Sequence, residues 1–155
     1  MFVLLNQLRR VRRDIAAPPP VTRSSLALRH VDAGSCNGCE HELTATANPF
    51  YDLSQYGLSI VASPRHADVL LVTGAITTRM QPALLAAHGA MPEPRLVAAL
   101  GDCALGRNLL GLPDQHAGAL EQILPVDLRI PGCPPTPTAI AAALIRALEQ
   151  RSRGA

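Results

Sequence analysis

The sequence predicts an α/β domain in which a parallel sheet is covered by helices on both faces. Predicted strands and helices alternate along the chain, which is typical of βαβ units. Two of the predicted strands, residues 68–73 and 95–100, are almost wholly apolar, as strands buried on both faces are. The chain has 155 residues, 48% of them hydrophobic, so it suits one domain with a packed core.

The other elements follow from the same patterns. Predicted strands span residues 58–62, 68–73, 95–100 and 126–130. Predicted helices span residues 79–90, 113–124 and 138–151, the last with Thr136 or Thr138 as its N-cap. A shorter helix is expected to follow the first cysteines and to end near Ala47, because Asn48-Pro49 comes next.

Residues 1–29 are predicted to be a separate basic segment, which leaves residues 30–151 for the main α/β domain. The segment holds six arginines and one acidic residue, Asp14. Residues 2–13 have an apolar stripe at helical spacing, and residues 16–20 form a stiff, Pro-rich connector. We expect this amphipathic helix to dock on a partner, to stay in solvent, or to rest on a membrane surface.

Several classes of function are excluded by composition and pattern. Four aromatic residues and no Trp are too few for a single-stranded nucleic-acid platform, and the short arginine patch lacks base-reading residues, so we expect no nucleic-acid partner. No apolar run approaches the ~18–20 residues of a bilayer span, and no signal peptide is recognisable. The sequence contains no Ser-His-Asp arrangement, Walker A loop or Rossmann fingerprint. We therefore predict a cytoplasmic location, where thiols stay reduced.

Four cysteines carry the strongest functional signal: Cys36, Cys39, Cys103 and Cys133. Cys103 lies three residues past the predicted strand that ends at Leu100, and Cys133 lies three past the one that ends at Ile130. Parallel strands end at the same edge of a sheet, where ligands bind in such folds. Since the Cys36–Cys39 loop opens a helix and can cover that edge, we expect the four thiols to converge there.

The spacing favours an iron–sulfur cluster over two alternatives, a structural zinc site and a thiol redox pair. A Cys-x2-Cys pair alone serves all three. Structural zinc sites usually use two close pairs, whereas here one pair is combined with two distant single cysteines, which suits the spread corners of a 4Fe–4S cluster. Gly38 and Gly132 permit close approach of backbone N–H groups, and Pro134 follows the last cysteine as in ferredoxin-like ligand runs.

Five motifs together resemble the small subunits of membrane-bound group 4 NiFe hydrogenases, including formate hydrogenlyase, which are homologous to the B subunit of respiratory complex I. The motifs are Cys36-Asn-Gly-Cys39-Glu40, Asn48-Pro-Phe-Tyr-Asp52, residues 63–74, Gly101-Asp-Cys103-Ala and Pro131-Gly-Cys-Pro-Pro135. The resemblance runs in order from about residue 30 to residue 150.

The resemblance implies a flavodoxin-like α/β subunit that carries one 4Fe–4S cluster on the four cysteines and relays electrons without a catalytic residue of its own. Its implied partners are a hydrogenase-like large subunit, a ferredoxin-like 4Fe–4S subunit and integral membrane subunits, so that the chain would lie peripherally on the cytoplasmic face of the membrane. Complex I relatives have two adjacent cysteines at the position where this chain has Cys36 and Cys39, which are separated by two residues. The resemblance is therefore to hydrogenases at this point. A quinone-reducing, complex I-like function and a zinc-stabilised structural subunit remain as alternatives. The chain departs from the family pattern at Ala104–Asn108, which is less rich in small residues.

Other polar residues near the motifs have less specific roles. Glu40 and Glu42 are expected either to relay protons and tune the cluster or only to favour a helix N-terminus. Asp102 is expected to fix the Cys103 loop through local backbone hydrogen bonds. His41 is expected at the surface, and Arg65 and His66 are expected to hold a strand entry or contact a partner.

Overall fold

A computed structural model of the chain describes residues 25–107 and 113–154. The predicted basic helix of residues 2–13 and the connector of residues 16–20 lie outside the described residues. No helix within the described ranges is both long and apolar enough to cross a bilayer.

Five parallel strands form the main sheet, and two short strands form a separate antiparallel pair. In chain order the strands are β1 (Leu26–Asp32), β2 (Leu58–Ile60), β3 (Val69–Thr73), β4 (Ile76–Thr77), β5 (Leu96–Leu100), β6 (His116–Gly118) and β7 (Leu128–Ile130). The main sheet has the order β2-β1-β3-β5-β7, and β4 pairs with β6. Counted alone, the five main strands have the flavodoxin-like order 2-1-3-4-5, so the predicted α/β parallel sheet is confirmed.

Among the described residues, three α-helices cover the two faces of this sheet: α1 (Gly38–Ala45), α2 (Gln81–Gly89) and α3 (Pro137–Gly154). All of β3 is buried, and its side chains alternate between two separate apolar clusters. Val69 and Leu71 join residues of α1 and α3 on one face, whereas Leu70 and Val72 join residues of α2 on the other. The prediction of helices on both faces is therefore confirmed.

Strand β1 is an element that the sequence analysis missed. It spans Leu26–Asp32 and therefore runs across the expected boundary at residues 29 and 30. Arg29 and His30 interrupt the apolar pattern of this strand, which hides it from a reading based on hydrophobicity. His30 is accommodated there because its ring nitrogen Nε2 lies 2.8 Å from the hydroxyl oxygen of Thr73 on β3.

The predicted helix over residues 113–124 is wrong. Two 3₁₀ turns, Pro113–Gln115 and Leu120–Gln122, flank strand β6 in this segment instead. Gly118 has a φ of 110°, which no α-helix can contain, and it marks the break. Leu120 and Leu124 still pack into the apolar cluster beside α2, so the segment covers that face without forming a helix.

At the amino ends of the strands, two aspartates join neighbouring strands in the same way. The Asp68 carboxylate accepts a hydrogen bond from the Ala27 N–H of β1 at 2.9 Å, and it also pairs with Arg151 of α3 at 2.8 Å. Asp127 accepts one from the Val97 N–H of β5 at 2.8 Å. These contacts fix the amino edge of the sheet with carboxylates that precede β3 and β7.

Candidate metal centre

Three of the cysteines lie in loops that leave the carboxyl edge of the sheet, and Cys39 lies in the first turn of α1 just after one of these loops. The last paired row of residues at this edge runs across β1, β3, β5 and β7. It consists of Asp32, Thr73, Leu100 and Ile130. The loops that leave this row after β1, β5 and β7 carry these three cysteines. The topological prediction that Cys103 and Cys133 emerge at the same edge therefore agrees with the observed strand ends.

The four thiols differ in exposure but act on one another electrostatically. Cys103 is buried, Cys39 is half-buried, and Cys36 and Cys133 are exposed; none is in a disulfide. The pKa of Cys39 is raised to about 12, mainly by burial and then by the negative charges of Glu40 and of the other three cysteines. Burial also raises the pKa of Cys103, with contributions from Cys133 and Cys36. Since such effects fall off with distance, the four thiols lie within electrostatic range of one another.

Asp102 joins the loops of Cys103 and Cys133. Its backbone N–H donates to the carbonyl oxygen of Gly132 at 2.9 Å, and its carboxylate accepts from the Gly132 N–H at 3.1 Å. The Gly101 N–H donates to the Ile130 carbonyl at 2.8 Å just below them. Two ligand candidates from distant parts of the chain are thereby held in a fixed relation by backbone contacts.

Gly101 allows the Cys39 sulfur to approach the Cys103 loop. Its φ is 91°, and a Cβ atom there would lie 2.5 Å from the Cys39 Sγ atom. Gly132 also has a positive φ, and its Cβ would lie 2.6 Å from the Cα atom of Pro135. Gly38, in contrast, has room for a side chain, because a Cβ would meet Cys36 Sγ at an ordinary 3.5 Å. The close approach therefore depends on Gly101 rather than on Gly38.

The loop that carries Cys36 is folded on itself by the last residue of β1. The Asp32 carboxylate accepts hydrogen bonds from the Gly34 and Ser35 N–H groups, both at 2.8 Å. Asn37 adopts a left-handed conformation with a φ of 67°, and α1 starts at the next residue. Cys39 is thus placed in the first turn of α1, facing the Cys103 loop.

Two residues near the cysteines were missed by the sequence analysis: His30 and Thr73. The Thr73 hydroxyl donates a hydrogen bond to Oε1 of Glu40, the residue after Cys39, and His30 Nε2 contacts the same hydroxyl oxygen. Burial lowers the pKa of His30. The sequence signal that could have found these residues is the alternation along β1 and β3, which places both on the face that packs against α1.

The remaining polar candidates lie on α1 and in the turn before β3. Glu42 is half-buried on α1, and His41 is exposed beside it. Arg65 and His66 are exposed in a 3₁₀ turn that precedes β3, at the opposite edge of the sheet from the cysteines. They therefore lie where β3 begins, which is the position that the first of the two expectations for them requires.

The donor set of this edge fits an iron–sulfur cluster. Four thiols are the ligands that such clusters use, and the glycine at position 101 keeps a side chain out of the space beside Cys39. Within residues 25–107 and 113–154, no three His, Cys, Asp or Glu side chains are arranged around the position of a single metal ion.

Comparison with known proteins identifies the family. Residues 36–147 match the family described as NADH ubiquinone oxidoreductase, 20 Kd subunit. The chain belongs to this family. The match begins at Cys36 and includes all four cysteines, so the family region and the candidate metal centre coincide.

Two relatives show the resemblance at the level of sequence. The probable membrane-bound hydrogenase subunit mbhJ of Pyrococcus furiosus is 40% identical over 124 residues, which is 80% of this chain and 74% of the relative. Formate hydrogenlyase subunit 7 of Escherichia coli is 43% identical over 119 residues, or 77% of this chain. The match spans only 46% of that E. coli protein. Together with the family match, these relatives confirm the resemblance to hydrogenase and complex I subunits that the motifs indicated.

Solved structures confirm the fold. A chain of the membrane-bound sulfane sulfur reductase, described as an archaeal respiratory membrane complex, aligns with a TM-score of 0.71 and 27% identity, over 84% of this chain and 72% of that one. A chain of an NAD⁺-reducing [NiFe]-hydrogenase aligns with a TM-score of 0.63 at 18% identity, over 82% and 93%. The second likeness is one of fold alone.

Proposed function

We propose that this chain is an electron-transfer subunit that carries one 4Fe–4S cluster on Cys36, Cys39, Cys103 and Cys133. It works in a membrane-associated, hydrogenase-type oxidoreductase complex and passes electrons between a ferredoxin-like subunit and the catalytic large subunit. The proposal is supported by one observation above all: the segments that carry the four cysteines leave the same edge of the sheet, with Cys39 Sγ beside the Cys103 loop. The chain's relatives are in addition named as hydrogenase subunits.

The chain's own residues would bind and orient the cluster. The half-buried Cys39 and the buried Cys103 would form the inner side of the site, and Cys36 and Cys133 would form its exposed side. Asp102 and Gly132 hold two of the ligand loops together, and Glu40 and Glu42 are proposed as the carboxyl groups that tune the centre. When bound, such a cluster supplies one-electron transfer. The exposed side, with two of the four ligands, is where a partner subunit would cover the site.

Metal analysis under anaerobic conditions tests the proposal. We expect the full chain, purified without oxygen, to contain about four irons and a similar amount of acid-labile sulfide per chain. Reduction with dithionite should produce an EPR signal of the reduced cluster. A Cys103→Ser variant should lose most of its iron, and circular dichroism should show that it keeps its secondary structure.

The same measurements separate the zinc alternative. A chain that contains about one zinc and no iron, with no EPR signal after reduction, would contradict the proposed cluster and support a structural zinc subunit. Loss of iron from wild type only on exposure to air would agree with the proposal, since oxygen attacks such clusters.

A complex I-like quinone reductase is the second candidate, and the family description favours it. Both candidates use the same cluster, because the reaction depends on the large subunit. A large subunit with two Cys-x2-Cys pairs would support a nickel–iron centre, and their absence would overturn the hydrogenase function but not the relay. We also propose that the chain lies peripherally on the cytoplasmic face of the membrane, in contact with integral membrane subunits, as a subunit of the kind that mbhJ is named to be.

A further inference from the structure

Three polar side chains form a hydrogen-bonded group behind Cys39, on the face of the sheet that packs against α1. His30 follows Leu26 and Leu28 on the inward face of β1, and Thr73 follows Val69 and Leu71 on that of β3. Thr73 is fully buried, and the side chains of His30 and Glu40 keep only 22% and 19% of their exposure. Polar groups buried to this degree in an apolar layer need partners, and these residues provide them for one another.

The direction of the hydrogen bonds is fixed by the chemistry of the three groups. A hydroxyl has one proton to donate, and Thr73 donates it to Oε1 of Glu40. The contact of 2.8 Å between His30 Nε2 and Thr73 Oγ1 must then be one in which His30 donates. Burial lowers the pKa of His30 and so favours the neutral ring, and the hydrogen bond donated to Thr73 places its proton on Nε2. The chain of donors runs from His30 through Thr73 to Glu40.

The Glu40 carboxylate is fixed by this chain but not neutralised by it. Its second oxygen, Oε2, is buried and accepts no hydrogen bond from the described residues. A protonated His30 would place a positive charge 3.5 Å away, but burial lowers the pKa of His30 and favours its neutral form. A carboxylate with little solvation exerts a strong field on its surroundings, and Glu40 exerts the largest charge effect on Cys39.

We propose that His30 and Thr73 are positioning residues that hold the Glu40 carboxylate beside Cys39 and thereby lower the reduction potential of the metal centre. This inference rests on the proposed function. Reduction adds negative charge to the centre, so a fixed negative charge next to one ligand stabilises the oxidised form. Without its donors, the carboxylate would turn toward water, where its field is screened.

A redox titration of the full chain, followed by EPR, tests this role. We expect Thr73→Val, which replaces the hydroxyl with a methyl group of similar size, to shift the reduction potential upward. Thr73→Ser keeps the donor and should restore the wild-type potential. Glu40→Gln removes the charge itself and should shift the potential upward by at least as much as Thr73→Val.

A buried threonine at the C-cap of α1 provides the matched control. Thr46 is 1% exposed, and its hydroxyl donates to the Leu43 carbonyl at the end of α1, without contact to Glu40. Thr46→Val therefore removes a buried hydroxyl at a similar cost in stability and should leave the potential unchanged. The double variant Thr73→Val/Glu40→Gln should have the potential of Glu40→Gln alone, because Thr73 acts only through the carboxylate.

The outcomes distinguish this inference from the proposed function. A wild-type chain without iron overturns the proposed function, and this inference with it. Two results would overturn the positioning role alone. One is a reduction potential that is the same in wild type and Thr73→Val, and the other is an equal shift in Thr73→Val and Thr46→Val. If Thr73→Val assembles no cluster, His30→Leu takes its place: an upward shift in potential supports the role, and an unchanged potential overturns it.

Discussion

At both edges of the sheet an aspartate carboxylate accepts a hydrogen bond from a backbone N–H, but the elements that these contacts connect differ. At the amino edge, Asp68 and Asp127 accept N–H groups of neighbouring strands. At the carboxyl edge, Asp102 accepts the N–H of Gly132 and joins two loops that carry cysteines. The amino-edge contacts connect elements that the sheet already holds together, whereas the carboxyl-edge contacts connect loops that no strand pairing reaches.

This difference implies that stability and metal binding can be changed separately. Substitutions at the amino edge should lower the free energy of unfolding and leave metal content alone. Substitutions at the carboxyl edge should lower metal content by more than their effect on stability would explain. Matched pairs of variants, one from each group, test the separation.

The largest effect is expected from Gly101→Ala. The residue has a φ of 91°, which costs an alanine about 1–2 kcal/mol, and the new Cβ would lie 2.5 Å from Cys39 Sγ. We expect most of the iron to be lost, measured as iron per chain after anaerobic purification.

Gly89→Ala is the matched control for this prediction. Gly89 is the last residue of α2, and a Cβ atom there meets nothing within 4 Å. The variant should keep its iron and be equally stable or up to about 1 kcal/mol more stable in urea unfolding. Equal iron loss in both variants would show that the close approach at Gly101 has no special importance.

A smaller effect is expected from the two aspartates. Asp127→Ala leaves the Val97 N–H without its acceptor, so we expect a loss of about 1 kcal/mol in the free energy of unfolding with unchanged iron content. Asp102→Ala should cost a similar free energy but also reduce iron content, because the Gly132 N–H is released beside Cys133. If the two variants lose iron equally, the distinction between the edges is wrong.

The parts of the site that sequence could predict are those set by strand ends. The apolar runs before Cys103 and Cys133 mark where β5 and β7 stop, and parallel pairing then brings both cysteines to one edge. Thr73 also ends an apolar run, but its partner Glu40 lies 33 residues away, and only the register of β1 and β3 brings His30 to the same place. The error over residues 113–124 has a similar cause, since Gly118 breaks the helix where the apolar pattern continues through Leu120 and Leu124.

The smallest effect concerns the pH dependence of stability at the carboxyl edge. Burial lowers the pKa of His30 below its ordinary value of 6.5, so the folded chain binds this proton less readily than the unfolded chain. The stability is complete above pH 6.5 and is lost as the pH falls below that value toward the folded pKa. We expect urea unfolding to give a smaller difference in free energy between pH 7.5 and pH 5.5 for His30→Gln than for wild type. The difference should not vanish, because burial also lowers the pKa of His88. An unchanged difference in His30→Gln would mean that the ring exchanges its proton equally well in both states, and would contradict its burial as a neutral donor to Thr73.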